Sequence, residues 1–247
     1  MRKDFLYVVC FAIVFALFNG ANAKEVEADK DEEYTVTVSS HEDKVELHAP
    51  GWGDMQFELP EPGTYNLPSF GKAADGNVLT DEGEKKRLAD FYGDKVVVLS
   101  FIYTQCSDLN GCPLVTAVFY KLKDALRNDP ELSDQLRLIS LSFDPQYDTP
   151  EVMKFYGQGS KDFGGPEWQF LTTESEAELA PITDDFGQYV NQEYDEDGNP
   201  TNRFAHILRV FLIDKNGMKR SQYSATFLHD QSLITDLKTL LLEEQNS

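Results

Sequence analysis

The chain has 247 residues, 41% of them apolar and 12% aromatic, enough for one sizeable core with additions. A formal net charge of -21 argues against nucleic acid and anionic membrane surfaces as partners, because phosphate recognition needs Lys and Arg. It suits solubility and a basic protein partner, but charge alone names none.

The N-terminus reads as an export signal. Arg2 and Lys3 precede the uninterrupted apolar run Phe5–Phe18, and Ala21-Asn22-Ala23 is a small-x-small cleavage site. The run is shorter than the roughly 20 residues a spanning helix needs, so membrane association is expected only if this segment stays uncleaved. Cys10 lies inside the run, which is a poor position for lipidation. Cleavage leaves a mature chain with two cysteines, Cys106 and Cys112, in an oxidising, periplasmic setting.

In chain order, residues 1–23 are assigned to the signal peptide and 24–33 to a solvated acidic tail. Residues 34–68 form an N-terminal β addition, because Tyr34–Val38, Lys44–His48 and Met55–Leu59 alternate with period two between Pro and Gly punctuation. His41 and His48 fall here and read as surface histidines. Asp75-Gly76 signals a hairpin turn. Val96–Tyr103 is apolar on both faces, as a central strand should be. Leu114, Val118, Leu122 and Ala125 then recur at helical spacing, ending near Asn128-Asp129-Pro130. Leu136–Phe143 is the next strand, so strand, helix and strand make a right-handed parallel unit.

Thr149-Pro150 opens a further helix, with Thr149 as its cap. Trp168–Thr172 is a third strand. Thr173 and Glu176 have capping-box spacing for a helix reaching about Val190, which Pro181 should kink or split. Gln192–Phe204 is polar and turn-rich and reads as a solvated loop. His206 follows, at the mouth of the strand Ile207–Asp214. Asn216-Gly217 predicts an antiparallel return through Met218–Ala225. Leu233, Leu237, Leu240 and Leu241 face a final helix inward. This order predicts an α/β fold for residues 69–247, a thioredoxin-like sandwich with a mixed central sheet flanked by helices.

The chemistry concentrates at Val96–Leu126. Cys106 ends a strand, and Cys112 stands directly before Pro113, a favoured first helical residue. Both sulfurs are thus expected beside a helix N-terminus, which lowers thiol pKa. The Cys-x5-Cys spacing suits either a disulfide or a soft metal ion, and as an inert structural disulfide it would need no further partner. A third ligand separates these uses. His206 is the candidate, since in this topology its loop faces the cysteine helix, where thioredoxins carry a cis-proline. Two thiolates and an imidazole suit copper(I) and copper(II). Zinc normally wants a fourth ligand, for which His229 is a remote candidate. A peroxidase-like use would need an arginine near Cys106, and none is close in sequence.

Phe101–Cys106 with Cys112-Pro113-Leu114, Ser142–Val152, and His206 ahead of Val210–Asp214 together resemble the Sco/SenC family, over roughly Pro62–Leu242. These are thioredoxin-fold copper proteins of cytochrome c oxidase assembly. The resemblance implies copper as cofactor, Cys106, Cys112 and His206 as its ligands, and Asp144 as a group near the site. It implies as partners a client copper protein, such as a cytochrome c oxidase subunit, and a thiol reductant. The family's usual spacing is Cys-x3-Cys, so the longer loop here alters the surface a client meets. A copper metallochaperone and a thiol–disulfide oxidoreductase using Cys106 and Cys112 both follow from this reading.

Overall fold

In the computed structural model, which describes residues 48–245, three fully or largely buried parallel strands form the centre. The strands in chain order are β1 (Asn77–Thr80), β2 (Lys85–Arg87), β3 (Val96–Ile102), β4 (Leu136–Ser142), β5 (Glu167–Thr172), β6 (Val190–Tyr194), β7 (Pro200–His206), β8 (Val210–Ile213) and β9 (Lys219–Tyr223). The helices are α1 (Cys112–Leu126), α2 (Pro130–Ser133), α3 (Pro150–Lys161), α4 (Glu176–Asp185) and α5 (Asp230–Gln245). The main sheet runs β2-β1-β5-β4-β3-β8-β9, with β6 and β7 paired separately. β3, β4 and β5 are parallel; β1, β8 and β9 join antiparallel. This is the mixed α/β sandwich expected from the order of elements.

Every residue of β3 and β4 is buried, which explains their unbroken apolar character. The register places Leu138, Ser140, Trp168 and Phe170 on one face, where Trp168 meets Phe119 and Tyr120 of α1 and Phe170 meets Tyr156 of α3. Phe101 faces the other way, edge-on to Phe186 and Phe211. Gly157 lets α3 approach the sheet: a Cβ there would lie 2.5 Å from the Phe170 ring. Among the described residues no helix is long and apolar enough to cross a membrane.

Several expectations need correction. The signal peptide, the acidic tail, His41 and the first two strands of the β addition lie outside the described residues. Within them, Met55–Leu59 is irregular, and only a 3-10 turn forms, at Pro50–Trp52. Asp75-Gly76 is not the hairpin tip. The β1–β2 turn spans residues 81–84, and the Asp75 carboxylate instead binds Arg87 and the amides of Gly76 and Ala89. Ser175, not Thr173, caps α4, accepting from the Glu178 amide, and α4 runs unbroken past Pro181 to Asp185.

The largest difference is at Gln192–Phe204, which is a hairpin. Asp195 accepts from the Asp197 and Asn199 amides, and Gly198 takes φ +82°, closing a turn that a run of acidic residues disguised. His206 is therefore the last residue of β7, four positions before β8 starts at Val210.

Candidate metal centre

The site begins where β3 leaves the core. Beyond Ile102, Tyr103 stays buried and Thr104 turns the chain. Asp148, fully buried, fixes that turn. Its carboxylate accepts from the Thr104 amide (3.1 Å), the Thr104 hydroxyl (2.5 Å) and the Ser142 hydroxyl at the end of β4 (2.5 Å). Burial pushes the Asp148 pKa up, and the hydrogen bonds from Ser142 and Thr104 oppose that shift. One carboxylate thus ties the ends of two parallel strands together two residues before Cys106.

The Cys-x5-Cys loop is then folded by its own polar groups. Asp108 accepts from the Asn110 amide through its side chain (3.0 Å) and from the Gly111 amide through its carbonyl (2.9 Å). A Cβ on Gly111 would lie 3.2 Å from both the Cys106 sulfur and the Asp108 carbonyl oxygen, so glycine lets the loop close over the thiol. Cys112 opens α1 with Pro113 behind it, as the sequence predicts. Cys112 is almost fully buried, Cys106 half-buried, and both are free thiols.

His206 arrives from the hairpin. Its ring lies 5.0 Å from the Phe143 ring and 5.7 Å from that of Tyr103, with Phe204 packed against both aromatics. Nδ1 is 3.1 Å from the Phe204 carbonyl oxygen. A carbonyl only accepts, so Nδ1 carries the proton and the Nε2 lone pair is free. Nε2 lies 3.9 Å from the Cys112 sulfur. The ligand atoms of Cys106, Cys112 and His206 all fall within 4.8 Å of one another.

The thiols do not shift together, contrary to the helix-dipole expectation. A hydrogen bond from the Cys112 thiol lowers the Cys106 pKa to about 6 against the upward push of burial, helped by the backbone amides of Cys112 and Asp108. The same hydrogen bond, with burial, pushes Cys112 well above the ordinary thiol range. The pair shares one proton: Cys106 is the thiolate and Cys112 its S–H donor. Burial, then the nearby Cys106 charge, raises Tyr103 to about 12, so its hydroxyl stays neutral.

Other candidate residues fall outside the cluster. Asp144 is half-buried at the end of β4, where its amide donates to Ser142 and its carbonyl accepts from Tyr147 and Asp148. Burial, then Asp148, raises the pKa of its carboxyl group. No hydrogen bond joins Asp144 to the three ligands among the described residues. The buried carboxylate beside the thiol loop is Asp148, which sequence reasoning missed. Its signal was available in Asp148-Thr149-Pro150, an acidic residue just ahead of a capped helix. His229 is buried but occupied, with Nε2 against the Gly53 carbonyl (3.2 Å) and Nδ1 against the Gln231 amide (3.3 Å) and Asp230 (3.0 Å). It has no nitrogen free to be a fourth ligand. His48 is exposed.

A thioredoxin-like fold with a dithiol at the first core helix and an imidazole facing it defines a class of soft-metal or dithiol redox proteins. The SCO1/SenC family matches residues 74–242, and the chain belongs to that family. Solved relatives share the fold. Bradyrhizobium japonicum ScoI with copper bound is 23% identical at TM-score 0.55, with 68% of this chain and 99% of that one covered. A SCO1/SenC family lipoprotein from Bacillus anthracis is 26% identical at TM-score 0.57, covering 69% and 95%. Yeast Sco1 with copper bound is 18% identical at TM-score 0.55, covering 72% and 93%. No curated protein matches.

Proposed function

We propose that this protein is an exported copper chaperone that holds copper through Cys106, Cys112 and His206 and passes it to a client copper protein. The observation that carries this reading is the convergence of two sulfurs and Nε2 within 4.8 Å, with Nδ1 held by the Phe204 carbonyl. A backbone partner on the second nitrogen is how metal-binding imidazoles are commonly oriented. The donor set is soft and three-fold, which suits copper(I); zinc usually takes four protein ligands in a structural site. Family membership and the copper-bound relatives favour this cargo. One relative, BsSco, belongs to the cytochrome c oxidase assembly proteins, which makes an oxidase subunit the favoured client. Export rests on the Arg2–Ala23 signal pattern.

Anaerobic titration of the reduced protein should give one copper(I) per chain. His206→Ala should weaken copper(II) binding by at least about a hundredfold, above the 10–100-fold usual for an outer-shell partner. Reduced wild-type protein that takes up no copper contradicts the reading.

A second use of the same thiols is supported by the depressed Cys106 pKa. At neutral pH the Cys106 thiolate is poised to attack a client disulfide. Resolution by Cys112 would then leave a Cys106–Cys112 disulfide and two reduced client thiols: two electrons and the one Cys112 proton pass to the client, and the second client sulfur takes its proton from water. A thiol reductant partner would reset the pair. A freely reversible disulfide with a potential in the catalytic range supports this use, and one resistant to glutathione contradicts it.

A further inference from the structure

The loop between the cysteines is not held by its own hydrogen bonds alone. A segment some sixty residues upstream lies across its tip. The Ala49 amide donates to Asn110 Oδ1 at 2.7 Å, and Trp52 Nε1 donates to the Leu109 carbonyl at 3.0 Å. The segment is itself fastened to the helical layer. Lys121 Nζ on α1 reaches the carbonyls of Gly51 (2.8 Å) and Trp52 (3.1 Å), and His229, just before α5, meets the carbonyl of Gly53. Gly51 is buried there, and a Cβ on it would lie 2.5 Å from the Leu228 carbonyl oxygen. Anchored to α1 and the start of α5, this strap grips two consecutive loop residues, and at the next residue, Gly111, a Cβ would lie 3.2 Å from the Cys106 sulfur.

We infer that Ala49–Gly53 is a positioning strap. Through Asn110 and Leu109 it holds the Cys106–Cys112 loop in the open-dithiol geometry that accepts a metal ion and resists disulfide closure. Closure would bring the sulfurs, now within 4.8 Å of each other, to about 2.05 Å. The strap opposes that movement from outside the loop. Asn110 and Trp52 are positioning residues, and neither touches the cargo. The metal half of this inference rests on the proposed copper site; the disulfide half does not.

The test uses the full-length protein and its variants Asn110→Ala, Trp52→Phe and Gly51→Ala. The first two each delete one strap bond. Gly51→Ala displaces the strap without altering the loop. Each should lower copper(I) affinity about tenfold. Each should also shift the Cys106–Cys112 equilibrium with glutathione about tenfold toward the disulfide, which is about 30 mV for this two-electron couple. Asn110→Asp keeps an acceptor for the Ala49 amide and should restore both values, measured at high salt to screen its added charge. Variants that match wild type in both readouts overturn the inference. So do variants whose changes only follow a fall in melting temperature, or an Asn110→Asp variant that behaves like Asn110→Ala. If wild-type protein binds no copper, the copper proposal fails, and the glutathione equilibrium alone decides on the strap.

Discussion

The two halves of the ligand set are built differently. The thiols are carried by elements built into the buried core. Cys106 leaves a strand buried on both faces, Cys112 opens a helix packed on it, and buried Asp148 locks the turn between them. The imidazole sits at the end of a two-stranded ribbon that, among the described residues, belongs to no larger sheet. Most of that ribbon is exposed, and half-buried Phe204, between Tyr103 and Phe143, anchors it beside the site. Isolated two-stranded ribbons are marginally stable in water. The thiol half is therefore built into the core, while the imidazole half reaches the site from a more exposed ribbon, so the two halves should loosen separately.

The sharpest way to break this contrast is at Asp148. Replacement by Ala leaves the Thr104 amide and two hydroxyls without their buried acceptor, at a cost of about 3 kcal/mol or more in denaturant unfolding. Copper affinity should fall with it, because the Cys106 turn loses its fixed start. Next in size is Phe204→Ala. It should cost only about 1 kcal/mol globally, since the ring is partly exposed, yet speed hydrogen exchange across residues 190–206. Copper(II) affinity should drop about tenfold while thiol reactivity stays unchanged. Equal loosening of β3 and the hairpin would contradict two independent halves.

The smallest expected effect concerns the shared proton. In wild type, alkylation of Cys106 should follow a titration near pH 6. Its thiolate is favoured above that pH and lost as pH falls through it. Cys112→Ala removes the S–H donor, so the midpoint should move up toward the ordinary thiol range. A midpoint unmoved by that substitution would mean that the thiols titrate independently.

The same contrast governs what could be read from the sequence. The thiol half was legible because burial on both faces writes continuous apolar runs, and Thr149-Pro150 and Cys112-Pro113 mark helix starts. The hairpin was hidden. Its strands alternate weakly, its tip is acidic, and its one anchoring aromatic, Phe204, reads as an isolated residue in a polar stretch. His206 was found through the topology of the core, which placed its loop opposite α1, and its seat at the end of β7 emerged only with the strand pairing. The family resemblance points to Asp144, and Asp148 stays hidden because the sequence does not show which of two nearby aspartates turns inward. The strap over the thiol loop had no local signature, since its bonds join residues 57 and 61 positions apart.

The central claim is that Cys106, Cys112 and His206 meet on one copper ion. Pulsed electron paramagnetic resonance of the copper(II)-loaded protein, with optical spectra of the same samples, tests it most directly. Wild type should show imidazole-nitrogen modulation and thiolate-to-copper charge transfer. The modulation should vanish in His206→Ala, and the charge-transfer band should be lost or altered in both Cys106→Ser and Cys112→Ser. Nitrogen modulation that persists in His206→Ala, or a charge-transfer band indifferent to either cysteine, would contradict the account.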